Sequence, residues 1–397
     1  MDQILLAHGS GGTQMRSLIE QLFYESYGSD VLKRGDDAAV LAIPDGVASF
    51  AFTTDTFVVT PHFFPGGDIG RLAVCGTVND LATSGAQPLW LSVAFVLEEG
   101  FSMDSLRRIC ASMAEAAREA EVSIVTGDTK VVGRGQCDGI YINTSGVGVI
   151  PAGVNQSDVC LSDACLSDAC LSEGSLSDVC LSGINLTDAK QHCINLSGAN
   201  CQPGDRILLS GTLGDHGIAI VSSRDGLSFS TTLESDTAPL NHLVTAVLAA
   251  APHVRCFRDP TRGGLASTLN EFARQSGVAM LVDEESVPVK DQVRGACDML
   301  GYDIFQVANE GKMVCVVAPE EAGAALAAMR SQRYGVDAAI IGEVASVSVA
   351  GGSVGNTAGN SAGSTAGSIT PRAYVRTLYG SIRILDELVG EQLPRIC

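Results

Sequence analysis

Between residues 157 and 201, leucine returns at every fifth position: Leu161, Leu166, Leu171, Leu176, Leu181, Leu186 and Leu196 share one phase. Two positions ahead of that phase sit Val159, Ala164, Ala169, Gly174, Val179, Ile184, Ala189, Ile194 and Ala199, with Cys or Asn between the two. The period breaks the mixed strand and helix texture on either side. It divides the 397-residue chain into two comparable halves, each long enough for a core of its own. A second break is residues 350–370, where Gly355, Gly359, Gly363 and Gly367 recur among Ala, Ser, Thr and Asn. By composition it is a flexible linker.

The repeat resembles the pentapeptide-repeat family, which implies a small right-handed β-helix with Leu and the small residue facing inward. It departs from that pattern where Cys160, Cys165, Cys170 and Cys180 replace the usual Asp or Asn. A disordered tract expanded by duplication is the alternative. Outside the block, Met15, Leu18, Ile19, Leu22 and Phe23 have the spacing of an amphipathic helix over 14–24, and 103–120 repeats that pattern. Strands are expected at 48–58, 91–97, 122–126 and 139–149. After Arg206 come a strand, a turn and a helix start, helices at 240–251, 263–275 and 319–331, and strands near 278, 313 and 338. Two such halves predict a two-domain α+β or α/β protein.

The net charge of −20 argues against a nucleic-acid or anionic-membrane surface, though not against a nucleotide held through Mg2+. No apolar run is long enough to span a membrane and the N-terminus lacks an export pattern, so a soluble cytoplasmic protein is expected. The 13 cysteines are odd in number and scattered, as expected of free thiols in a reducing compartment.

Neither a Walker motif nor a Rossmann fingerprint is present. Instead, aspartates recur at turns and strand ends: Asp36 and Asp37 in RGDDAAV, Asp55 in TTDTF, Asp80 in VNDLATSGA and Asp128 in VTGDTKVV. Any one of them serves equally well as a turn or helix cap; together they suit Mg2+ bridging polyphosphate oxygens. The glycines of HGSGG, from His8 to Gly12, would admit a phosphate to backbone N–H groups. Lys130 and Glu310 are ordinary surface charges or a proton-transfer pair; spacing does not decide. The chain ends in LPRIC, placing the thiol of Cys397 on the last residue.

LAHGSGG, FFPGGDIGRLAVCGTVNDLATSGAQP, VTGDTKVV, SGTLGDHG, DPTRGGL and the terminal LPRIC, in this order, resemble the HypE family of hydrogenase maturation factors. This is the carbamoyl dehydratase branch of the aminoimidazole ribonucleotide synthetase-like superfamily. The resemblance covers about 1–150, 203–345 and the tail. It implies an α+β fold with an N-terminal ATP-binding and dimerisation domain at 1–150, a pentapeptide-repeat-like insertion at 151–202 and a C-terminal α+β domain at 203–349. A Gly/Ser/Ala/Thr linker at 350–370 and a flexible tail at 371–397 would follow, so that the linker lengthens the leash of the thiol.

The implied activity is ATP-dependent dehydration of a thiocarbamoyl group on Cys397 to a thiocyanate, the source of a cyanide ligand for NiFe hydrogenase. The resemblance places Cys397, Lys130 and Glu310 in catalysis. It places His8, Gly9, Gly11, Gly12, Asp36, Asp37, Asp55, Asn79, Asp80, Gly127, Asp128 and Arg262 around ATP, and Mg2+ on Asp36, Asp55, Asp80 and Asp128. Implied partners are a HypF-like carbamoyltransferase, a HypC–HypD-like iron-carrying complex and a second copy of the chain. A sister small-molecule kinase or synthetase, or a maturation scaffold without catalysis, are the other readings; only the dehydratase needs the terminal thiol.

Overall fold

The computed structural model describes residues 12–18, 20, 39–41, 49–151, 154, 194–224, 233–347, 370–388, 390 and 395–397. The body of the period-five block, with its cysteines at 160, 165, 170 and 180, lies outside them, as do His8, Gly9, Gly11, Asp36 and Asp37.

The first half comprises α1 (Thr13–Leu18), β1 (Ala39–Leu41), β2 (Phe50–Phe57), a short β3–β4 ribbon (Phe63–Phe64, Gly67–Asp68), α2 (Ile69–Thr83) and β5 (Gln87–Glu98). They are followed by α3 (Met103–Glu119), β6 (Ser123–Val132) and β7 (Ile140–Val149). Five strands form one sheet in the order β1-β2-β7-β5-β6, antiparallel except for the β5–β6 pair. The expected strand at 122–126 runs on through Val132, carrying VTGDTKVV inside an edge strand and not at a turn.

Sequence periodicity does not reveal α2, because almost every one of its residues is buried and no polar face marks it. Asp68 caps it by accepting from the N–H groups of Gly70 (2.8 Å) and Arg71 (3.0 Å). A Cβ on Gly70 or Gly76 would collide with Ile109 or Phe57, so the glycines let α3 and β2 close on this helix.

The second half comprises β8 (Arg206–Leu209), α4 (Asp215–Ser222), α5 (Asn241–Ala250), β9 (Val254–Arg258), α6 (Gly264–Ser276) and β10 (Ala279–Asp283). After these come α7 (Asp291–Leu300), β11 (Val314–Val317), α8 (Ala322–Arg330), β12 (Ala339–Ala345), β13 (Ala373–Arg376) and β14 (Ile382–Ile384). Its sheet has the order β14-β13-β10-β12-β8-β11-β9. Continuous hydrophobic clusters run between the halves: Phe57, Leu72 and Ile109 share one with Ile218, Val293 and Val307.

Two expectations about the insertions change. Val154 and Ile194 pair in a parallel bridge, so the period-five block leaves and re-enters the fold at one point. Val154 and Leu196 pack over Gly85, where a Cβ would strike both. The segment after 370 is not one flexible tail: β13 pairs with β10 and β14 with β13. Beyond them Asn270 Nδ2 donates to the Leu385 carbonyl (2.7 Å), and Glu387 takes Arg16 and Arg274 together. The leash of Cys397 therefore starts after Glu387, and residues 350–370 do not lengthen it.

Ala345 and Ala373 lie beside Ala279 and Met280, on opposite flanks of the start of β10. The two ends are two strand spacings apart, about 10 Å. Residues 346–349 and 371–372 alone span that gap. Deleting 350–370 is therefore expected to leave thermal stability and turnover within about twofold, because closure entropy changes only slowly with the length of a connection. A melting scan and a turnover assay check this; collapse of either would place those residues inside the fold.

Candidate functional site

The two halves meet around the last three residues of the chain. Tail and residues 58–60 run side by side: Val58 N–H donates to the Cys397 carbonyl (3.1 Å) and Thr60 N–H to that of Arg395 (3.2 Å). Arg224 Nη2 also reaches the Arg395 carbonyl (3.0 Å), while its Nε donates to Thr60 (3.1 Å). Arg395 pairs with Asp138, donates to the Val58 carbonyl (3.2 Å) and lies against the Tyr141 ring. Its guanidinium is thus engaged away from the thiol.

Arg262 lies beside the thiol instead. It stands 3.5 Å from Asp55, and its guanidinium stays charged despite its burial: the Cys397 sulfur, when ionised, and then Asp55, Glu310 and Asp80 raise its pKa. Asp80 accepts from Thr53 Oγ1 (2.9 Å), two residues before Asp55 in β2. Burial pushes the Cys397 thiol up to about 12; Arg262 pulls it down, and Glu310, Asp55 and Asp259 push it up again. The docked thiol is therefore neutral. Glu310 is 3% exposed, and its Oε1 has no hydrogen-bond partner among the described residues. Burial, then Asp259, Asp55 and Asp236, raise its pKa well above the carboxylate range, against the pull of Arg262. A carboxyl in this setting resists ionisation and, once ionised, is strongly basic.

Asp55, Asp80, Arg262, Glu310 and Cys397 thus come together, as the sequence reading expected. Three other expected residues do different work. Asn79 is buried and brackets the two halves: its Nδ2 donates to the Ala238 carbonyl (3.0 Å) and its Oδ1 accepts from Leu240 N–H (2.8 Å). Gly127 lies within β6, where a Cβ would overlap the Val93 carbonyl of β5. Gly12 meets the Leu388 carbonyl in the same way, so its close backbone approach is to the C-terminal segment. Asp128 and Lys130 form an exposed ion pair (2.9 Å) on β6, apart from Glu310.

His216 was missed, although its motif SGTLGDHG was noted. It is fully buried, with Nε2 2.7 Å from the Ile396 carbonyl and Nδ1 2.8 Å from Ser235 Oγ. A carbonyl only accepts, so Nε2 carries the proton. Burial lowers the ring's pKa, which leaves it neutral with Ser235 donating to Nδ1. Only contact with the folded-back tail distinguishes it from an ordinary core histidine.

For the metal, hard oxygen donors are present in Asp55 and Asp80. Among the described residues no three His, Cys, Asp or Glu side chains gather into a closed cage. An ion completed by polyphosphate oxygens and water fits such a partial set. No helix among the described residues is long and apolar enough to cross a membrane.

The family models for AIR synthase related protein match here, the N-terminal domain at residues 35–150 and the C-terminal domain at 202–353. The carbamoyl dehydratase HypE of Cupriavidus necator is 46% identical over 397 residues, covering 100% of this chain and 95% of that protein. The crystal structure of a HypE–HypF complex aligns with TM-score 0.74 and 40% identity, covering 94% of this chain and 100% of that one. HypE in complex with ATP aligns with TM-score 0.70 and 42% identity over 100% of both chains.

The raised thiol pKa ties docking of the tail to pH. A free thiol titrates near about 8.5, and the docked one near about 12. Docking favours the protonated thiol, so it is at full strength below the free value and weakens as pH rises from there toward the docked value. Alkylation of Cys397, followed on the C-terminal peptide by mass, is expected at pH 7 to be at least about tenfold slower than in the same peptide free in solution. Equal rates would show that the thiol is not sequestered.

Proposed function

The chain belongs to the HypE family of carbamoyl dehydratases, which serve hydrogenase maturation by ATP-dependent dehydration, and from that premise we propose how its own residues do the work. The substrate is a carbamoyl group carried as a thioester on Cys397. ATP supplies the phosphoryl group that makes the carbamoyl oxygen a leaving group. The oxygen departs with phosphate, the two N–H protons are removed, the sulfur–carbon bond stays, and carbon and nitrogen are left as a thiocyanate.

The observation that carries this reading is the terminal thiol itself, folded back beside a buried glutamate with an oxygen unpartnered among the described residues. Glu310 takes an N–H proton, and its strongly basic carboxylate suits that task. Arg262 balances the negative charge of the cleft and lies beside both the thiol and Asp55. Asp55 and Asp80 would hold Mg2+, which supplies charge neutralisation for the phosphates. Asp36, Asp37, His8, Gly9 and Gly11 keep the roles that the family resemblance implies. A HypF-like protein would load the carbamoyl group, and a HypC–HypD-like complex would accept the cyanide. A cytoplasmic location suits the free thiols.

Lys130 and Asp128 join this site through a second copy of the chain. Their strand, β6, is a sheet edge whose residues are almost all exposed, including Ile124, Val125 and Val131, and Phe52 and Trp90 of the same sheet are exposed nearby. An apolar open edge calls for a partner. The homodimer of the resemblance supplies one.

Two experiments test the reading. Incubated with a carbamoyl-transferring partner, carbamoyl phosphate and Mg-ATP, Cys397 is expected to gain a carbamoyl group and then lose one water only when ATP is hydrolysed. Glu310→Gln should keep the first step and slow the second by about a hundredfold or more; an unmodified Cys397 beside an active partner would end the carrier role. Val125→Glu on the β6 edge should give a single-copy mass by light scattering and lose dehydration with it. A monomeric, fully active variant would sink the paired site.

A further inference from the structure

The last three residues sit in the cleft, Arg395 in the left-handed region (φ 52°), and their carbonyls face two ways. Those of Arg395 and Cys397 face residues 58–60 of the first half. The carbonyl of Ile396, between them, faces the other way and meets His216 Nε2. Ile396 is 5% exposed and its side chain joins the core, so a carbonyl lost from this bond would be buried without a partner.

His216 is fixed on every side. Its ring stands edge-on to Phe64, and Ser235, which holds Nδ1, is tied through its own N–H to the Pro65 carbonyl (2.8 Å) and through Oγ to Thr237 (2.7 Å). The start of α4, which carries His216, is in turn set against the Glu310 segment. Gly214 N–H donates to Asn309 Oδ1 (2.7 Å) and Gly217 N–H to the Ala308 carbonyl (3.0 Å). One rigid path therefore runs from the neighbours of the catalytic carboxyl, through His216, to the residue before the thiol.

We propose that His216 is a positioning residue: its Nε2–H seats the Ile396 carbonyl and so places the loaded Cys397 against Glu310 for dehydration, while loading of the tail does not require it. The proposal rests on the carrier reading of Cys397. Seating is needed inside the cleft. Loading needs the thiol to reach another protein, so the same bond must open first. Loss of the bond then affects the two steps in opposite directions.

The test compares two substitutions of similar size. The side-chain nitrogen of Gln extends to about the place of Nε2, and that of Asn only to the place of Nδ1. His216→Asn is expected to raise the alkylation rate of Cys397 about tenfold, the worth of one buried hydrogen bond, and to slow dehydration of a loaded tail by a similar factor without slowing loading. His216→Gln is expected to stay within about twofold of the parent in all three. The alkylation arm needs neither partner nor ATP, so it decides the seating even where the dehydratase reading fails. Equal behaviour of the two variants, or an unchanged alkylation rate in His216→Asn, overturns the proposal. A chain ended at Arg395 leaves the histidine pocket intact and covers the case in which His216→Asn does not fold. The His216 Nε2–H resonance should shift or exchange faster in that chain than in the full one, and an unchanged resonance overturns the proposal equally.

Discussion

One primary amide holds the cleft in shape. Asn79 lies on the buried helix of the first half, yet both ends of its side chain are bonded to backbone of the second, at Ala238 and Leu240, with the Glu310 carbonyl close by at 3.4 Å. Each of those backbone groups would otherwise be buried without a partner, at about 1–3 kcal/mol apiece. Asp80 follows directly in the helix and Glu310 lies on the bonded segment. The bracket that joins the halves thereby sets the distance between their acids.

Within that frame charge is scarce on one side. Asp55, Asp80, Asp236, Asp259 and Glu310 crowd the cleft, and Arg262 answers several of them at once. Such a field favours the protonated forms of the resident thiol and of Glu310. It also explains why the arginine next to the thiol in sequence is not the one that acts on it: Arg395 faces Asp138 and Tyr141 instead.

The tail shows how composition misleads about topology. The Gly-rich stretch reads as a leash, but the segment beyond it supplies two strands that tie the chain to the second sheet before the thiol is reached. The strands β13 and β14, AYVR and IRI, are too short for their alternation to announce them. Helix α2 was hidden for the opposite reason, being buried on every face. Lys130 illustrates a third limit, since its motif does not show that it lies on an exposed edge strand, paired with Asp128.

What the sequence by itself determined is the chemistry available. The terminal Cys397, Asp55, Asp80, Arg262 and Glu310, in their motifs, named the residue types and the family, because such motifs are local and readable along the chain. Most helices and strands outside the insertions were legible as well, the buried strands as short apolar runs and helices such as α3 and α6 by a polar face. Which of these side chains meet was decided only by tertiary structure. Asn79 and Gly127 turned from cofactor candidates into a bracket and a close strand contact, and His216 gained its role, through groups far apart in sequence. Hydrogen bonds and desolvation act through space, and the last three residues acquire their surroundings only when the chain folds back over both halves.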